Sequence, residues 1–116
     1  MAIDTRTGSK LSPTKISKKI DAYIAQMNVL IEYANNIGIS EKVVFEFESV
    51  IGCLIIIGCN VNSITVDECT EHKNTIEQIS DSFYAFDFNR VAEEIEEIVD
   101  FLSDVIYWIS CERDIK

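Results

Sequence analysis

Residues 88–109 run FNRVAEEIEEIVDFLSDVIYWI. Within them Phe88, Val91, Ile95, Ile98, Leu102, Val105 and Ile109 follow one another at alternating intervals of three and four. A helix turns once in about 3.6 residues, so this spacing gathers all of them on one stripe. A strand alternates its side chains and would scatter them over two faces. Glu93, Glu94, Glu96, Glu97, Asp100 and Asp104 fall mostly on the other faces. The segment therefore predicts a long helix over 88–111, apolar on one side and polyanionic on the other. A stripe of that length needs other helices to cover it, which makes this segment decisive for the fold.

The chain upstream supplies three such helices. Ser12 followed by Pro13 is a helix start, with Leu11 and Ile16 placed as a hydrophobic staple. Ile16, Ile20, Tyr23, Met27, Leu30, Ala34 and Ile37 then form a stripe. Gly38 supplies the left-handed stop, giving a first helix over 13–37. Ser40 caps a second helix over 41–59, carrying Val44, Phe47, Ile51, Leu54 and Ile57. Its run Leu54-Ile55-Ile56-Ile57 also fits a buried strand, but no partner strand is visible elsewhere. As a helix apolar nearly all round, it is expected to be the central one. Thr65-Val66-Asp67-Glu68 is a capping box opening a third helix over 66–83. Asp87 is placed to cap the fourth, with Phe86 and Val91 as its staple. Four amphipathic helices with short connections predict an all-α, antiparallel four-helix bundle.

Composition agrees with one such domain over 12–116, preceded by a flexible basic arm over 1–11. A chain of 116 residues buries roughly 65% of its unfolded surface, enough for a core without staples. The net charge of −10 is uneven. Residues 1–19 set Arg6, Lys10, Lys15, Lys18 and Lys19 against Asp4 alone, so the acidic excess belongs to the rest. Such a body repels nucleic acid and anionic membranes and attracts basic partners. The three clustered lysines are expected to pair with acids elsewhere. The longest apolar run, Val50 to Cys59, is too short for a membrane-spanning helix of about 20 residues. No secretory leader is evident, so the expectation is a soluble cytoplasmic protein with Cys53, Cys59, Cys69 and Cys111 as reduced thiols.

Three constellations bear on chemistry. Glu93-Glu94-Ile95-Glu96-Glu97 has the form E-E-x-x-E, and Glu97-Ile98-Val99-Asp100 the form E-x-x-D. These resemble the motifs of the all-α nucleotide pyrophosphatases related to MazG. That resemblance implies a Mg²⁺-dependent hydrolase with these carboxylates as ligands. It covers about eight residues, and it departs from the family pattern. There the motifs face each other from separate helices; here they overlap on one helix and share Glu97. The second constellation, Cys69 and His72 one turn apart with Cys53 and Cys59, lacks the loop knuckles of structural zinc sites. No metal or cofactor is expected. The third is aromatic: Phe83, Tyr84, Phe86 and Phe88 are expected to close one end of the core. Tyr107 and Trp108 are adjacent, so one of them faces outward beside the acids.

Glycine-rich phosphate loops and nucleophile elbows are absent from the sequence. The expected function is a small, acidic, non-catalytic protein-binding module. In kind, it resembles the inhibitors, phage anti-defence proteins and immunity proteins that block a basic, nucleic-acid-binding surface. Its expected contact residues are Glu93, Glu94, Glu96, Glu97, Asp100, Asp104, Tyr107 and Trp108. The regular stripes of the first and fourth helices also allow a homodimer.

Overall fold

The computed structural model describes residues 2–114. Its helices are α1 (Pro13–Asn36), α2 (Glu41–Cys59), α3 (Val66–Ala85) and α4 (Asn89–Trp108), followed by a π-helical turn at Ile109–Arg113. The stretch Leu54–Ile57 is helical, which settles the helix-or-strand question. The predicted caps explain most of the boundaries. Ser12 accepts from the Lys15 amide and Ser40 from the Lys42 amide. Thr65 and Glu68 exchange both hydrogen bonds of the capping box. Those bonds hold the Glu68 carboxyl below its ordinary pKa.

Both chain reversals at one end are Schellman turns. In the first, Ile39 N–H reaches the Ala34 carbonyl and Gly38 takes φ +74°. In the second, Phe88 N–H reaches the Phe83 carbonyl and Asp87 takes φ +63°. Asp87 is therefore the left-handed residue that ends α3, and not the cap of α4. The N-cap position of α4 is Phe88, which makes no side-chain capping bond.

Helices adjacent in sequence pack antiparallel. Ile20 on α1 lies 3.2 Å from where a Cβ on Gly58 of α2 would sit. Phe47 on α2 stacks on Phe83 of α3 with ring centroids 5.3 Å apart. Buried Ser80 on α3 donates to the Ala92 carbonyl of α4 at 2.9 Å. Tyr23 on α1 meets Phe101 on α4 at 5.7 Å. The predicted stripe is buried from Ile95 onward, with Ile95, Ile98, Leu102 and Ile109 fully buried, while Val91 is partly buried and Phe88 about half exposed.

Three expectations need correction. α2 is not central: Phe45, Ile55 and Ile56 on its outer face are exposed. In a four-helix bundle every helix keeps a solvent side, whatever residues occupy it. α4 gives way to the π turn before residue 111, where the Asp114 amide reaches back to the Ile109 carbonyl. Residues 2–11 of the segment expected to be a flexible arm lie on the bundle. Ile3 bridges to Lys10, while Ala2, Asp4 and Leu11 are buried. The Ala2 amide donates to Glu112, and Arg113 donates to the carbonyls of Val61 and Ile64. Ala2 and Arg113 are thereby held at the same end of the bundle.

Candidate functional site

One helix positions the acidic candidates. At 3.6 residues per turn, Glu93, Glu96, Glu97, Asp100, Asp104 and Tyr107 fall within an arc of about 100° on α4. Glu93, Glu96 and Asp100 are exposed, and Glu97 and Asp104 are half-buried. Glu94 lies off this arc and is also half-buried. Tyr107 is 55% exposed and continues the acidic line, as expected for one of the aromatic pair. Trp108 is its opposite: at 5% exposure it belongs to the core and leaves the contact surface. A step of one residue rotates a side chain by about 100°, which carries Trp108 inward beside the Phe101 side of the helix.

Several of these acids already have partners. Arg6 donates to Asp100 at 2.8 Å, and Thr5 donates to Asp104 through its amide and its hydroxyl. Tyr84 donates to Glu96 at 2.8 Å, and this bond pushes the Tyr84 phenol up to about 12. Among the described residues, Glu93, Glu94 and Glu97 have no such bond. The line therefore has an open stretch at the start of α4 and a stretch lying under the N-terminal segment.

The carboxylates do not gather into a ligand cage. Among the described residues, no three His, Cys, Asp or Glu side chains converge so as to hold a metal ion. The E-E-x-x-E and E-x-x-D acids sit on one helix. The four cysteines are free, with Cys53 and Cys69 buried. Burial pushes the Cys69 thiol up to about 11, which suits a packing group better than a nucleophile.

The lysine cluster also differs from expectation. Among the described residues the ion pairs are Arg6–Asp100 and Arg113–Asp114, and neither involves a lysine. The neighbouring acid, Asp4, is turned inward and accepts from the Arg6 amide. Lys19 instead lies over the Tyr23 ring, 5.2 Å from its centroid.

One surface escaped the sequence reading. Phe83 is buried, but Phe86 is 70% exposed and Phe88 about half exposed. The aromatic group therefore closes the end of the core only in part, and the Phe86–Val91 staple does not form a cover. Tyr33, Ile37 and Phe45 are exposed at the same end. The signal lay in the clustering of aromatics at the α3–α4 turn.

Comparison of the chain with protein-family models, with curated proteins and with solved structures finds no match. Among the described residues, no helix is long and apolar enough to cross a membrane.

Proposed function

We propose that this protein is a non-catalytic binding module whose acidic α4 face docks on a basic surface of a partner protein. The observation that carries this reading is the line of Glu93, Glu96, Glu97, Asp100, Asp104 and Tyr107 along one arc of a helix anchored by the core, open at its start and bordered by the N-terminal segment at Asp100 and Asp104. A fixed row of carboxylates offers a phosphate-like charge pattern to a surface built for nucleic acid, with little ordering cost on binding. An inhibitor that masks such a surface needs nothing else. An exposed tyrosine in line with the charges adds an aromatic contact of the kind enriched in binding hot spots.

The test uses tagged protein against nuclease-treated lysate of its own host, alongside a Glu93→Gln/Glu94→Gln/Glu97→Gln variant. These replacements keep size and helix propensity and remove charge. The expected result is a stoichiometric protein that elutes at moderate salt and is lost by the variant. A partner held equally by both proteins, at any salt, would overturn the proposal.

A further inference from the structure

The end of the bundle formed by the two Schellman turns is unlike the rest of the surface. Ile39 and Phe88 fold back over Ala34 and Phe83, while left-handed Asp87 directs the chain so that Phe86 points out. Three hollows meet there, and Ile39 borders them all. One of them, about 460 Å³, has Val43, Phe83, Phe86 and Phe88 among its sides. A second, about 250 Å³, shares Val43, Phe83 and Phe88 and extends to Tyr33 and Ile37. The third, about 560 Å³, runs under Phe45. Exposed apolar surface concentrated in this way marks an interaction site.

The charge around it selects the occupant. Glu41, Glu46 and Glu48 line the hollows against Lys42 alone. Asp87 stands between the two phenylalanines, and in the first turns of α4 Arg90 is followed by Glu93 and Glu94, so acids outnumber bases there as well. A second copy of this chain would bring those carboxylates against their own counterparts, with −10 on each molecule. Like charges at an interface oppose pairing. A segment with apolar side chains at helical spacing and basic flanks satisfies both features, filling the hollows and meeting the rim.

We infer that this end docks a cationic amphipathic helix of the partner protein, with its apolar residues in the hollows beside Phe83, Phe86 and Phe88. The inference rests on the basic-partner reading above and adds the apolar half of the recognition.

The probe is a synthetic helix of about four turns with leucine on one face and lysine on the other, titrated into ¹⁵N-labelled protein and followed by NMR. A control peptide carries the same lysines with serine in place of leucine. Phe45→Ser/Phe86→Ser removes two exposed rings and leaves the core alone. The leucine–lysine peptide is expected to shift the amides of Ile39, Val43, Phe83 and Phe88. The double variant is expected to weaken it by about tenfold or more, the effect of losing a central anchor. The serine control is expected to shift only α4 and to depend on Glu93, Glu94 and Glu97. Unchanged affinity of the double variant would overturn the inference while leaving the acidic face standing. Loss of the serine control alone in the glutamate variant would isolate the hollows as a separate site. Equal binding of a leucine–glutamate peptide, or a dimer by sedimentation that depends on Phe86, would also overturn it.

Discussion

Tyr23 is a buried side chain whose polar atom is left over. It is 3% exposed, and its hydroxyl is the buried side-chain atom with no hydrogen-bond partner among the described residues. The ring is well used, against Phe101 on one side and Lys19 on the other. The hydroxyl costs desolvation without return, typically about 1–3 kcal/mol for such a group. Tyr23→Phe is therefore expected to raise stability by about 1–2 kcal/mol in urea denaturation. Burial, and then the Glu97 charge, pushes the phenol pKa well above its ordinary range. The sign follows from linkage. An unfolded tyrosine ionises near pH 10 while the folded one stays neutral, so stability is lost as pH climbs past about 10. In Tyr23→Phe that alkaline loss is expected to be shallower. A variant less stable than the parent at neutral pH would show that the hydroxyl is satisfied after all. At the same scale, Tyr107 and Trp108 show what sequence can resolve. Adjacency says that one of them is outside, but which one depends on the phase of the helix against its neighbours, and Phe101 decides it.

Helices and their ends were the most legible elements, because each boundary is fixed by a few adjacent residues. Ser12, Ser40, Thr65 with Glu68, and Gly38 all act in the structure as their chemistry predicts. Asp87 misleads because aspartate serves both as an N-cap and as a tolerable left-handed residue, and only φ tells the two apart. Two glycines make the backbone argument measurable. Gly52 is an exposed position on α2, and an added Cβ would meet nothing within 4 Å. Gly52→Ala is expected to stabilise the protein by about 1 kcal/mol through helix propensity alone. Gly38 is equally open but sits at φ +74°. Gly38→Ala is expected to destabilise by about 1 kcal/mol, since the left-handed conformation penalises any Cβ. Thermal or urea unfolding of the pair checks this: shifts of the same sign would refute the assigned conformations.

Across the whole molecule, what the sequence hides is what comes together from distant positions. The apolar end draws on the termini of all four helices, and no local window contains it. The N-terminal segment lies 94 residues from Asp100, 99 from Asp104 and 110 from Glu112 in the chain, yet bonds to each. The acidic line itself was legible because it is local to one helix, but its occupancy was not. Arg6 sits on Asp100 as a basic partner would, and the pair is 45% and 51% exposed. An exposed pair of this kind contributes about 0.2–1 kcal/mol, weak enough for a ligand to displace. A basic ligand of the α4 face must therefore compete with Arg6 for Asp100. Arg6→Ala is expected to tighten binding of such a ligand, by about 1.5-fold to fivefold, because the competing contact is removed. It also removes one positive charge, which alone would favour a cation. Lys10→Ala changes the net charge equally at a position without an ion pair among the described residues, and so isolates the contact from the field. Titration of the lysine–serine peptide into both variants distinguishes the causes. Tightening in Arg6→Ala beyond that in Lys10→Ala would show that the N-terminal segment occupies part of the binding face. Equal tightening would mean that it only adds charge nearby.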